Sequence, residues 1–522
     1  MNFLKLFGVL AFLSLWSGDG ECYKILGVFH FPGISHNILS TKLIKGLLTA
    51  GHDVTMIATL PMKDVPKGGT YREILVEGAQ EFFEKMMVEM NIFDMNKFGM
   101  LTMLLNRTRN LQEIMKFTFE DPKVQQLLNS NEKFDAVILE QFVNDPLKVF
   151  AHIYDCPLIL LSGVGPNTMV NRLVGNPSPI SYAAHLLLGD FSKDLSFFNR
   201  LKNLVAHAME NFMFTFFLFP SDDNFLHQFF PDAPPLAELC QNVSLVLLNS
   251  HVSLSPALPL VPNMVEIGGY FIDPPKKLPK DLKDILDNSP EGVIYFSLGS
   301  NLKSKDLPSE QKQWILSVLG NLKEKVLWKF EEDLPGRPKN VFIKKWLPQQ
   351  DVLAHPNIKL FITHGGLLST TETIYHGVPI LAIPVFGDQS ANADRAVSSG
   401  YALKLKYNTP EFTKENFEKS LNELLHNPTY RENAKFRQKL YHDRPEKPMK
   451  TAIYWIEYTI RHRGAPHLTV AGAKLPWYKY YLVDVFVVIF LGLLGAYKTG
   501  KWVVKKSICG IKRKCSNKKK SD

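Results

Sequence analysis

The segment Phe361–Gln389, FITHGGLLSTTETIYHGVPILAIPVFGDQ, constrains the fold of this chain more than any other stretch. The apolar run Leu360–Ile362 ends at a His-Gly-Gly turn. A helix-compatible stretch then leads to a Gly-Val-Pro break, a second apolar run and an Asp-Gln close. Strand, glycine turn, helix and strand in that order make a parallel α/β unit. Adjacent glycines let the backbone approach a bound group, and the free N–H groups and dipole at the following helix start favour an anion. His364 adds a donor at the mouth of the turn. The second strand delivers Asp388 and Gln389 to its carboxyl end, where parallel sheets bind their ligands. An acceptor beside an amide suits sugar hydroxyls.

At fixed spacing, Thr363-His364, Gly366, Ser369, Glu372, Pro379, Pro384, Asp388 and Gln389 resemble the signature of the UDP-glycosyltransferases. That family moves a sugar from a UDP-sugar to small lipophilic acceptors. The resemblance runs over almost the whole chain, both termini included, and is greatest to insect members. It implies the GT-B arrangement, two doubly wound Rossmann-like α/β domains facing a cleft. It also implies inversion at the anomeric carbon, glucose as the transferred hexose, and a UDP-sugar that is a substrate, so that no cofactor is expected.

The chain has 522 residues, a length that suggests about three domains, and its 45% hydrophobic and 21% charged residues are ordinary for globular proteins. The net charge of +9 is not spread over the molecule: after Tyr497 the tail carries ten Lys and Arg residues against the single Asp522. The body is therefore near neutral, which argues against a nucleic-acid partner. Lys5, the apolar run Leu6–Trp16 and the small residues Ser17–Gly20 read as a secretory signal over residues 1–21. That gives meaning to the sequons at Asn106 and Asn242 as glycosylation acceptors. Five cysteines make no disulfide framework, and pairing of Cys156 with Cys240 stays open.

Near the other end, Tyr480–Tyr497 is broken only by Asp484 and at about 1.5 Å per residue would span about 27 Å, the thickness of an endoplasmic-reticulum bilayer. Trp477, Tyr478 and Trp502 suit the interfacial belts, and the basic tail, 498–522, is cytosolic by the positive-inside rule. Lys519-Lys520 resembles a dilysine retrieval signal. The expectation is a single-pass protein of the endoplasmic reticulum with a lumenal body.

Strands are predicted at Tyr23–Phe29, Asp53–Ala58, Phe134–Leu139 and Pro157–Leu161, with a helix over Ile38–Leu48, in an acceptor-binding domain, 22–267. The aromatic stretch Leu186–Phe230 reads equally as buried helix core or as a lipophilic pocket wall or membrane-contacting surface. Residues 268–291, rich in proline and charge, read as the linker. Strands at Val293–Leu298, Val326–Phe330, Val341–Lys345, Lys359–Ile362 and Pro379–Ile383 alternate with helices in a UDP-sugar-binding domain, 292–465. Its last helix, Thr451–His462, crosses back to the first domain if the resemblance holds.

Glycosyl transfer needs a base for the acceptor hydroxyl and stabilisation of the departing diphosphate. His36, placed between the Pro32-Gly33 turn and the helix, is the candidate base, with His30 as competitor. The family's histidine-orienting aspartate falls here on Glu140, with Asp145 as fallback. The resemblance assigns Trp346 and Gln349 to the uracil, and Gly299-Ser300, His364 and the Gly366–Ser369 backbone to the diphosphate. It assigns Glu372 to the ribose, and Asp388 with Gln389 to the hexose. Leu368 stands where many vertebrate members carry asparagine. No Asp-x-Asp pair occurs, so no metal clamp on the diphosphate is expected. Competing readings are UDP-glucuronosyl transfer, a UDP-sugar epimerase, and a UDP-sugar-binding subunit without acceptor glycosylation. Acceptor identity and self-association are left open.

Overall fold

The computed structural model describes residues 21–89, 100–185, 188, 195–300, 302–407 and 409–518. All but the last residue of the expected signal, and the Lys519-Lys520 pair, lie outside the described residues. The chain forms two compact units, one through Thr469 and one from Val470.

The first unit holds two all-parallel sheets. Strands β1 (Lys24–Phe29), β2 (Asp53–Ala58), β3 (Tyr71–Leu75), β4 (Ala136–Glu140), β5 (Leu158–Ser162), β6 (Val243–Leu248) and β7 (Met264–Glu266) lie in the order β3-β2-β1-β4-β5-β6-β7. Strands β8 (Val293–Ser297), β9 (Lys325–Lys329), β10 (Val341–Lys344), β11 (Ile358–Thr363), β12 (Ile380–Ala382) and β13 (Ala402–Lys404) repeat that plan as β10-β9-β8-β11-β12-β13. Runs such as AVILE and VIYFS are buried at every residue. That is what a parallel strand covered by helices on both faces requires. In each sheet the order reverses between two neighbouring central strands, β1 and β4 in the first, β8 and β11 in the second. These switch points open crevices at the strands' carboxyl ends, where doubly wound sheets bind ligands.

Helix α1 (Ile34–Thr49) begins directly after Gly33, whose carbonyl accepts from the Asn37 N–H at 2.9 Å. His36 thus sits inside the helix's first turn rather than ahead of it as the sequence suggested. Apolar periodicity begins only at Ile38, so it cannot see a polar first turn.

Helix α2 (Phe197–Met213) continues through a π-helical turn at Phe214–Leu218. Phe197, Phe198, Phe212, Phe216 and Phe217 all remain exposed on these two elements. The aromatic run is therefore surface here, not core.

Helices α3 (Leu367–His376) and α4 (Gln389–Ser398) follow β11 and β12. Helix α5 (Pro448–Arg461) returns to the first sheet, where Ala452 and Ile456 join the cluster built on Ile25, Leu43 and Ile159. A Cβ on Gly46 of α1 would lie 2.3 Å from the Met449 sulfur, so glycine there permits the close approach of the returning helix.

The segment expected as linker is tied down at both ends. Tyr270 and Phe271 are buried in the first sheet's core, and Leu282 and Leu286 in the second's. Irregular chain between them is confined to 272–279.

In the second unit, helix α6 (Val483–Lys518) carries a 29-residue apolar stretch, Val483–Ile511, with none of it buried in protein. It is long and apolar enough to cross a membrane. It starts three residues later than expected and runs on through Lys498, because lysine is a good helix former and stops nothing. Tyr480 falls in a separate short helix, Trp477–Tyr480.

Candidate active site

Glu140 ends β4 and His36 follows β1, so the first switch point brings together two residues far apart in sequence. His36 Nδ1 lies 2.5 Å from Glu140 Oε1. The carboxylate is almost wholly buried, and its Oε2 has no hydrogen-bond partner. A carboxylate on Nδ1 holds that proton there and leaves the Nε2 lone pair as the base. Phe31 and Phe142 pack against the imidazole with ring centroids at 4.6 and 4.5 Å and fix its plane. A Cβ on Gly163 would stand 4.0 Å from Glu140 Oε1, and the next residue, Val164, lines a cavity of about 470 Å³.

The competitors are employed elsewhere. His30 is fully buried beside His36, its pKa lowered by that burial to about 3, so it stays neutral and enclosed. Burial pushes the Asp145 carboxyl up, but Lys148 and Arg172 outweigh it and hold the group at about 2. Asp145 belongs to an interior ion network with Lys148, Arg172 and Gln141, not to His36.

At the second switch point, the turns after β8 and β11 face each other. Gly299 has φ +89°, and a Cβ on it would lie 2.5 Å from the His364 ring; a Cβ on Gly366 would meet the same ring at 2.5 Å. Both glycines are therefore required for the imidazole to sit between the turns. Gly366 caps α3 with no side-chain cap, which leaves the helix's first N–H groups without intrahelical partners beside this turn. Ser300 follows Gly299 and is half-buried. Burial, reinforced by the Lys329 ammonium, lowers His364 to about 4. It is a neutral donor at physiological pH, not a cation.

A cation beside it is Lys329, buried at the end of β9, with Nζ donating to the Gly299 carbonyl at 2.6 Å, paired with Glu331 Oε1 at 3.4 Å and lying 5.7 Å from the Trp346 ring centre. Sequence reasoning missed it. The available signal was a lysine inside the apolar run VLWKF.

Trp346 presents an indole that is 65% exposed, a free stacking face. Gln349, expected to read a base edge, is occupied: Oε1 accepts from Tyr295 at 3.2 Å, while Nε2 donates to Ser369 Oγ at 3.0 Å and Glu372 Oε2 at 2.5 Å. Gln350 donates to the other Glu372 oxygen at 3.0 Å. Burial raises Glu372 to about 7 against these two amide donors. Ser369 and Glu372 thus form one network with Gln349 behind Trp346.

Asp388 caps α4 and accepts from Asn392 Nδ2 at 2.8 Å; the same amide donates to Gly365 O at 3.0 Å, joining the glycine turn to the acidic end. Gln389 Oε1 accepts from the Val385 and Phe386 N–H groups at 2.8 and 3.1 Å. Only its amide nitrogen is left for a ligand. Asp388, Asn392 and Leu367 line the same cavity as Val164, Thr168 and His185, so residues around both sheets enclose it. Leu368 packs against the core of the first sheet, which gives the position an apolar role between the halves.

Cys156 and Cys240 are both free, and burial pushes each thiol up to about 12. Asn242 is exposed at the end of a short helix, whereas Asn106 falls within the long helix Met100–Glu120.

A sequence model of the UDP-glucoronosyl and UDP-glucosyl transferase family matches residues 28–521. UDP-glycosyltransferase UGT5 of Dactylopius coccus is 35% identical over 479 residues, covering 90% of each chain. UDP-glucosyltransferase 2 of the same insect is 35% identical over 92% of this chain and 93% of its own. UDP-glucuronosyltransferase 2B13 of Oryctolagus cuniculus is 31% identical over 91% of both. The crystal structure of CalG4, the calicheamicin glycosyltransferase, superposes with a TM-score of 0.56 at 16% identity, over 84% of this chain and 98% of that one. Glycosyltransferase VinC in complex with dTDP gives 0.56 at 17% identity, over 84% and 100%.

Proposed function

This chain belongs to the UDP-glucuronosyl and UDP-glucosyl transferase family, and we propose that it transfers glucose from UDP-glucose to a hydroxyl of a small lipophilic acceptor, with inversion. The observation that carries the proposal is the 2.5 Å His36–Glu140 pair at one switch point, with the glycine-cradled His364 at the other.

In that reading the acceptor lies on the first sheet, residues 22–267, and its hydroxyl gives its proton to His36 Nε2. The imidazolium is stabilised by Glu140, and the oxygen attacks the anomeric carbon on the face opposite UDP. The bond from that carbon to the β-phosphate oxygen breaks, and its electron pair leaves with UDP. Lys329, the neutral His364 N–H, Ser300 and the N–H groups from Gly366 to Ser369 receive that charge. No metal is needed for this.

On the second half, residues 292–465 across the 268–291 connection, Trp346 stacks on uracil. Gln349 then acts chiefly by holding Glu372 towards the ribose. Asp388 and the Gln389 amide take the hexose hydroxyls. The relatives at 35% identity include one named as a glucosyltransferase, which favours glucose over glucuronate. The apolar helix α6 anchors the protein in the endoplasmic-reticulum membrane, with the body lumenal, Asn106 and Asn242 as glycan acceptors and the basic tail cytosolic. An epimerase or a mere binding subunit would have no use for the His36–Glu140 pair.

Membranes containing the protein should be given UDP-glucose or UDP-glucuronate with a panel of phenols. β-Glucosides are expected. Glucuronides would overturn the choice of sugar, and no product from either donor would overturn the activity.

A further inference from the structure

Outside the dyad and the donor site, one cluster of ligating side chains is found among the described residues, with His185 and His207 in the cavity wall. His207 and Glu210 lie three residues apart on α2 and therefore on one face of it. His185 approaches from the preceding loop, with Nε2 3.0 Å from Glu210 Oε2 and its ring centroid 4.8 Å from that of His207 at an interplanar angle of 87°. The three ligand atoms fall within 4.8 Å of one another.

We propose that His185, His207 and Glu210 form a binding site for a divalent transition metal of the zinc type, distinct from the sugar-transfer chemistry.

Two imidazoles and one carboxylate are a donor set that zinc takes with a fourth, open position. Tetrahedral bonds of about 2.1 Å would set the donors about 3.4 Å apart. The present spacing must therefore close by about 1.4 Å at its widest on binding. His207 is 6% exposed, and its Nε2 has no hydrogen-bond partner. A buried ring nitrogen without a partner costs free energy that a ligand would recover.

The surroundings orient the donors as metal sites do. The Thr168 side chain neighbours the Glu210 carboxylate and favours its charged form, the form that binds a metal. Asn203 on α2 accepts from the His185 N–H at 2.7 Å and donates to the Ile180 and Ala183 carbonyls at 2.6 and 2.8 Å. Those three bonds hold the loop against the helix, so that His185 faces His207. Because His185, His207 and Thr168 also line the 470 Å³ cavity, the open position would face bound molecules there. An acceptor carrying a second oxygen donor could occupy it.

The test uses the full-length protein in detergent, purified with a histidine-free tag, stripped with chelator and titrated with zinc or cobalt(II) alone. Uptake of one metal per chain is expected, with cobalt ligand-field bands of tetrahedral intensity. His207→Gln and Glu210→Gln should each weaken metal binding at least about 100-fold, and Thr168→Val about 10- to 100-fold, restored in Thr168→Ser. UDP binding in each variant reports that the donor half is still folded. His467→Gln, beside Tyr458 and away from the cluster, should bind as the wild type does. No uptake, or uptake that survives His207→Gln or is lost in His467→Gln, would overturn the proposal. The three residues would then be a hydrogen-bonded latch between loop and helix.

Discussion

Glu140 reaches His36 where the family motif has a shorter aspartate, and the carboxylate's role can be isolated by removing only its charge. Glu140→Gln should lower turnover by about 10²-fold or more, because the imidazolium loses the charge that stabilises it and the amide offers Nδ1 a donor as readily as an acceptor. Asp145→Asn should instead leave turnover of the folded protein intact and cost about 3–5 kcal/mol of stability, since Lys148 would be left buried without its carboxylate. The reverse outcome in steady-state rates and thermal melts would move the role to Asp145. Glu372 gives a pH test. A carboxyl raised to about 7 must ionise to accept two ribose hydroxyls, so UDP affinity should rise as pH passes from about 6 to 8. The excess slope over Glu372→Gln, measured by calorimetry, isolates this group from the titration of UDP itself. Equal slopes would remove Glu372 from the ribose. Residue types at the switch points could be read from sequence because family spacing marks them. Their employment could not: that Gln349 is spent on Glu372 and Lys329 on Gly299 depends on contacts across 20 residues or more, and that Gln389 is spent on the Val385 and Phe386 N–H groups depends on the local course of a loop.

The elements explain which glycines matter. Gly366→Ala would drive a methyl into the His364 ring without backbone strain, and Gly299→Ala would add strain at φ +89°. Both should weaken UDP binding and turnover together. Gly336→Ala, at φ +78° with nothing within 4 Å of the added methyl, should cost stability alone. Loss of UDP affinity in Gly336→Ala but not in Gly366→Ala would refute this account of the cradle. Gly46→Ala pushes α1 against Met449 and should destabilise by about 1–3 kcal/mol, seen as a lower melting temperature. Most inner strands were legible because both faces are buried and the apolar runs are continuous, but β6, an inner strand of the same kind, went unread. Edge strands β3 and β7 went unread: β3 is YREIL, only one residue of it buried, and β7 is three residues long. Helix starts were misplaced for the same reason, since polar first turns carry no periodicity.

On the scale of the whole molecule, two doubly wound sheets that share an order over six strands carry the proposed base on one half and the proposed donor cradle on the other. The family signature conveyed that plan. The aromatic stretch near α2 could not be sorted by composition, because an apolar residue in sequence carries no sign of whether a partner covers it. The proposed anchoring through α6 makes its own prediction: protease added to sealed microsomes should clip only a small C-terminal piece, and wholesale degradation would require a cytosolic body. The division of labour between the halves is tested most directly in His36→Ala, by measuring glucosyl transfer and UDP affinity on one preparation. Turnover should fall on the order of 10²–10⁴-fold, while the dissociation constant for UDP stays within about twofold, since the base touches only the acceptor. Full turnover, or a loss of UDP binding that matches the loss of rate, would contradict a base on the first sheet acting on a donor held by the second.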